Sequence, residues 1–169
     1  HRPGIFSHAL ALLSLLALAA CGGGGTSPSA SGGVIGGTGF KGPVGGATVT
    51  AYAVSGGARG AQIGTTTTDA NGGFTLSIGN HTGPVMLQLS GGTYTDEATG
   101  SPMNMASGDV MTAILPTVAV NATMSGIQIT PLTSMAQTMA QNQAGGMIDA
   151  NIMSANAATC LIEVVGCFA

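Results

Sequence analysis

Between residues 47 and 129, apolar side chains return at every second position. Ala47, Val49, Ala51 and Ala53 alternate with Thr48, Thr50 and Tyr52, and Phe74, Leu76 and Ile78 alternate with Thr75 and Ser77. Val85, Leu87 and Leu89 alternate with Met86 and Gln88, and Ile127 and Ile129 flank Gln128. A period of two belongs to the extended chain, whose successive side chains point to opposite faces. Each run therefore predicts a strand with one buried face and one wet face. Between the runs lie Gly42-Pro43, Gly56-Gly57, Asp69-Ala70-Asn71-Gly72-Gly73 and Gly91-Gly92, residues that supply positive or preset φ. Short strands punctuated in this way predict a mainly β chain, an antiparallel β-sandwich over residues 34–130.

The period changes at Pro131. Leu132, Met135, Ala136, Met139 and Ala140 fall on one face of a helix. Thr130 or Thr133 is suited to cap it, with Pro131 in its first turn. Gly145-Gly146 breaks the pattern, and a weaker helical pattern runs from about Ile148 to Ala158. Residues 131–169 thus form a helical C-terminal segment, ending in an apolar tail, Leu161 to Ala169, without clear period.

The N-terminal pattern is of another kind. Ala9 to Cys21 is an apolar run closed by Ala19, Ala20 and Cys21 and followed by four glycines. It is shorter than the roughly 20 residues that span a bilayer, and it fits a signal peptide over residues 1–20. Arg2 is its only fixed positive charge, beside His1 and His8. Leu18-Ala19-Ala20-Cys21 resembles the lipobox of bacterial lipoproteins. That resemblance implies cleavage before Cys21 and acylation of its thiol, with about 0.8 kcal/mol of membrane affinity per buried methylene. The alternative is a plain secretory peptide with an incidental cysteine. Gly22 after the cysteine, in place of aspartate, resembles outer-membrane sorting. Residues 21–33, rich in glycine and serine, read as a lipidated cysteine and a flexible tether. The sequence starts on His1 rather than methionine and stops soon after the second helical pattern, so both ends are expected to be incomplete.

Composition narrows the function classes. Charged residues make up 5% of the chain and the net charge is −3. One lysine, Lys41, and two arginines form no basic patch, which disfavours nucleic-acid binding, because phosphate neutralisation supplies most of that affinity. Cys160 and Cys167 are able to pair in an oxidising compartment or to remain free thiols, and neither has a His or Cys at zinc spacing.

Gly42-Pro43-Val44-Gly45-Gly46-Ala47-Thr48-Val49-Thr50-Ala51-Tyr52, followed by Thr68-Asp69-Ala70-Asn71-Gly72-Gly73-Phe74-Thr75-Leu76, resembles the carboxypeptidase regulatory-like family. The resemblance covers about residues 34–89 and implies a transthyretin-like, immunoglobulin-like sandwich acting as an accessory module. Gly91 to Gly100 and Ile129 to Thr133 resemble segments that follow such modules in uncharacterised bacterial lipoproteins. Peptidase chemistry is not implied: it needs a zinc site of two histidines and a glutamate, and only His81 lies outside the signal region.

Several side chains merit a chemical test. Asp69-Ala70-Asn71-Gly72 lacks the further oxygen ligands of a calcium loop and reads as a hairpin turn. His81 with Asp69 or Asp96 is the pair an exported hydrolase would use, but there is no Gly-x-Ser-x-Gly elbow. Met103-Asn104-Met105, with Met111 beyond, offers soft thioethers to Cu(I), against the bland role of methionine as core filler. Asp96-Glu97 are neighbours in an extended loop, hence poorly placed as an acid–base pair. Lys41, in a glycine turn rather than a strand core, is poorly placed for the amide cross-link of pilin sandwiches. Tyr52 and Tyr94 are the aromatic candidates for ligand contact, Tyr52 on the face opposite the Ala47–Val49 row.

The expectation is a non-enzymatic envelope lipoprotein without cofactor, structural or protein-interacting. Its partners would be the membrane, through lipid at Cys21, and an unidentified envelope protein or glycan. It would sit in the bacterial cell envelope, in the outer membrane. The alternative is a ligand-binding lipoprotein for a glycan or Cu(I), and the third reading is an exported hydrolase.

Overall fold

The computed structural model describes residues 32–160. Its elements are β1 (Gly33–Gly39), β2 (Thr48–Ser55), β3 (Ala58–Thr67), β4 (Gly73–Gly79), β5 (Gly83–Ser90), β6 (Thr93–Thr95), β7 (Pro102–Asn104), β8 (Val110–Val118), β9 (Thr123–Ile129), α1 (Pro131–Asn142) and α2 (Asp149–Cys160). Two sheets face each other, one ordered β4-β1-β9 and one ordered β3-β2-β5-β8, and β6 and β7 form a separate hairpin. The fold is a mainly β sandwich with helices at its C-terminal end. The paired strands run antiparallel except β1 and β9, which are parallel.

The sandwich core is built from the inward positions of the period-two runs. Val49, Ala51, Leu76, Val85, Leu87, Leu89, Leu115 and Ile129 are among its buried members. β1 lies between β4 and β9 and carries four glycines in seven residues. Close approach explains one of them: a Cβ on Gly37 would fall onto the carbonyl of Ile127 and against the Phe74 ring.

The expected wet face of β5 is covered. Met86 is buried together with Val54 and Ile114 beneath Ala136, Ala140, Met147, Ile152 and Ala155 of the helical segment, forming a second core on the outer side of the sheet. That burial also explains β8, whose alternation is lost: Met111 through Leu115 are all buried, because sandwich and helices cover its two faces.

The helical face differs from the one the spacing suggests. Ala136, Gln137 and Ala140 are buried, whereas Met135 and Met139 are 51% and 40% exposed. The helix has turned its small residues inward, where Ala136 and Ala140 join Met86 and Ile114 in the second core. Gln137 is buried without penalty, because its Oε1 accepts from Thr112 Oγ1 and its Nε2 donates to Gln141. Thr130 is the cap. Its hydroxyl accepts the Thr133 N–H at 3.1 Å, and the Thr133 hydroxyl accepts the Thr130 N–H at 2.8 Å, a reciprocal box that fixes where the helix begins.

The helices also finish the rim of the four-stranded sheet. Thr112 N–H donates to Ser134 Oγ at 2.8 Å and Thr133 Oγ1 donates to the Thr112 carbonyl at 2.7 Å. Asn156 Nδ2 donates to the Ile114 carbonyl at 3.1 Å, and Thr117 N–H donates to Asp149 Oδ1 at 2.8 Å. Outward backbone groups of β8, which a neighbouring strand would otherwise pair, are thereby satisfied by side chains. No helix among the described residues is long and apolar enough to cross a membrane.

Candidate functional site

Three segments distant in sequence meet at a cleft of about 480 Å³. Phe40, Lys41 and Gly42 come from the turn after β1, Tyr94 to Ala98 from β6 and the loop beyond it, and Thr130 to Leu132 from the start of α1. The volume lies in the range of small-ligand sites. Local chemistry holds each wall. The turn is closed by the Phe40 N–H donating to the Ile129 carbonyl at 2.9 Å and the Val44 N–H donating to the Gly39 carbonyl at 3.1 Å. The loop is organised by Asp96, whose Oδ1 accepts the N–H groups of Ala98 and Thr99, each at 2.9 Å, and the Thr99 hydroxyl at 3.1 Å. The capping box of α1 fixes the third wall.

Charge and aromatic surface are arranged within this frame. The Lys41 ammonium lies 5.1 Å from the centroid of the Tyr94 ring, a cation–π contact, while Tyr94 is half-buried against the sandwich core. The hydrogen bonds from Thr99, backbone first and then hydroxyl, hold the Asp96 carboxyl below the usual carboxylate range, with Lys41 and the Ala98 N–H helping and partial desolvation opposing. Phe40 presents a ring that is 45% exposed. Lys41 and Pro131 also line a second cleft of about 280 Å³, shared with Met105, Asp109 and Ser134.

Of the aromatic candidates, Tyr94 lies at this cleft and Tyr52 does not. Tyr52 does face away from the alanine and valine row, but helices cover that face. It packs on the second core, with the Arg59 guanidinium 4.7 Å from its ring centroid and Arg59 Nη1 donating to Gln88 Oε1. It is therefore no open platform. Met103 is exposed on β7 opposite Tyr94, Met105 is partly buried on the sandwich core and Met111 is buried within it. Met111 is a core filler, whereas Met105 packs on the core and also lines the second cleft.

His81 is half-buried, with Nε2 3.3 Å from the Pro84 carbonyl, and among the described residues it bonds neither Asp69 nor Asp96. Asp69 Oδ1 accepts the N–H groups of Asn71 and Gly73, the work of a hairpin turn. Among the described residues no three His, Cys, Asp or Glu side chains gather at metal-binding distance. Cys160 is disulfide-bonded. Leu18, Ala19, Ala20, Cys21 and Cys167 lie outside the described residues.

Phe40 is the cleft residue that the sequence pattern leaves unmarked, and Leu132 carries there only a helix-face signal. The only local signal was an aromatic residue beside the sole lysine in a glycine-rich turn, which has no meaning until the Asp96 loop is brought opposite.

No family model matches the chain, and no curated protein matches it. Among solved structures, a 9R-lipoxygenase from Cyanothece PCC8801 aligns over 62% of this chain at 16% identity with a TM-score of 0.40. The chain spans 17% of that protein's length, and a likeness this weak carries no argument about fold or activity.

Proposed function

We propose that this chain is a non-enzymatic lipoprotein of the bacterial envelope, anchored through Cys21, whose sandwich contacts a partner through the Lys41–Tyr94 cleft. The convergence of three distant segments on one cleft, with an exposed Phe40 ring beside a lysine and two carboxylates, is the observation that carries the contact role. Such mixed surface, an apolar patch with a few convergent polar groups, suits recognition. The lipobox and the glycine–serine tether support the anchor, and the charge-poor, β-rich composition supports export. A glycan as the partner is the second reading, favoured by Phe40 standing beside Asp96 and Glu97.

Two measurements test this reading. Radiolabelled palmitate should enter the wild-type protein and not Cys21→Ser. A photo-crosslinking residue at position 40 should capture a partner in intact cells, while the same residue at the exposed Val120 should not. Absence of label from the wild-type chain removes the anchor. Equal capture from positions 40 and 120 removes the cleft as contact surface.

A further inference from the structure

The cleft holds both signs of charge without a direct ion pair between them, although Lys41 still acts on Asp96 through space. Lys41 rests on Tyr94, and among the described residues it is in no ion pair. Asp96 uses Oδ1 for its own loop, while its Oδ2 makes no hydrogen bond among the described residues. Glu97 beside it is exposed. The same cleft is lined by the apolar side chains of Phe40, Pro131 and Leu132.

Ligand classes can be sorted against this arrangement. A phosphate or other anion would meet Lys41 but also two carboxylates. A divalent cation would meet the carboxylates but also an ammonium. A neutral sugar would offer neither charge an opposite partner. A ligand carrying a cation at one end and an anion at the other, with an apolar body between, satisfies every group at once.

We infer that the cleft takes a short zwitterionic peptide, its free α-carboxylate on Lys41, its free α-ammonium on Asp96 and Glu97, and its side chains against Phe40 and Leu132. This rests on the reading of the cleft as the contact surface. Capture of a free C-terminal carboxylate or N-terminal amine is a recurrent mode of peptide recognition. The charges are open to solvent, so affinity is modest, with Kd on the order of 0.1–1 mM.

The test is calorimetric titration of the full chain in detergent micelles with tri-alanine, N-acetyl-tri-alanine, tri-alanine amide and a neutral trisaccharide. Tri-alanine should bind, and blocking either end should weaken it about tenfold, the worth of one charge-assisted hydrogen bond. Lys41→Gln should erase the difference between acid and amide while sparing sensitivity to acetylation. Glu97→Gln should lessen the sensitivity to acetylation while sparing the preference for acid over amide. Both side chains are exposed, and an unchanged melting curve verifies that the variants fold. Equal binding of free and blocked peptides overturns the zwitterion. Trisaccharide binding without peptide binding overturns it too but leaves the cleft as a contact surface. Binding of no probe overturns this inference, and equal crosslinking from positions 40 and 120 is the separate result that would remove the cleft itself.

Discussion

The buried hydroxyl of Thr68 donates to the carbonyl of Val44 at 2.7 Å, and it also accepts the N–H of Ala47 at 2.9 Å. These residues belong to the two separate motifs that suggested a sandwich, so one side chain ties the turn before β2 to the hairpin between β3 and β4.

Thr68→Val keeps the shape and removes both bonds, leaving a buried carbonyl and a buried N–H unpaired. A loss of about 1–3 kcal/mol is expected in urea unfolding. Thr68→Ser, which keeps the hydroxyl, should lose less. Equal loss in the two variants would show that packing, rather than the hydroxyl, matters at this site.

Gly57, in the turn between β2 and β3, lies against Gly145 and Gly146 of the loop between the helices, and its carbonyl accepts the Met147 N–H at 2.8 Å. Its φ is +73°, and a Cβ there would fall onto the Gly145 carbonyl. Gly56 also has positive φ, +57°, but open space around it. Gly56→Ala should therefore cost about 1 kcal/mol, and Gly57→Ala clearly more. Thermal melts of the two variants give the order directly.

The rotated face of α1 makes a paired prediction. Ile152→Ala opens a cavity in the second core and should cost about 2–5 kcal/mol. Met135→Ala and Met139→Ala remove exposed side chains and should stay within about 0.5 kcal/mol of wild type. A large loss at Met135 would restore the face suggested by the bare spacing.

Asp96 gives a pH dependence with a definite sign. A carboxyl whose folded pKa lies below its unfolded value, about 3.9, adds stability above that unfolded value and surrenders it as pH falls through the folded one. The loop from Asp96 to Ser101 should therefore loosen in strong acid, below pH 4. Amide resonances of Ala98 and Thr99 should report one titration below that of a model aspartate, absent in Asp96→Asn. A midpoint at or above that of an unfolded aspartate would contradict the hydrogen bonds described.

β2, β4 and β5 were legible because an inward face of Val49, Ala51, Phe74, Leu76, Leu87 and Leu89 leaves a period-two record. β8 was not, because burial on both faces erases that record between Met111 and Leu115. β1 was obscured by glycines that serve close strand approach, and β3 by having ten residues of which most are exposed. The helices were legible as helices, through Pro131 and Gly145-Gly146, but not in orientation. Ala136 and Ala140 face inward because a sheet lies beneath them, and nothing local encodes that neighbour. For the cleft, Tyr94, Asp96 and Glu97 stood out as residues, while their meeting with Phe40 and Lys41 is a long-range event.

The helices decide where the sheet stops. With Thr133, Ser134, Asp149 and Asn156 filling the hydrogen-bonding row of β8, an incoming strand cannot register there without first prising two helices from Met86 and Ile114. Growth of one sheet into the next copy is closed on that flank. A chain cut short before Pro131 would trade a finished margin for a sticky one, so sandwich and helices stand or fall together.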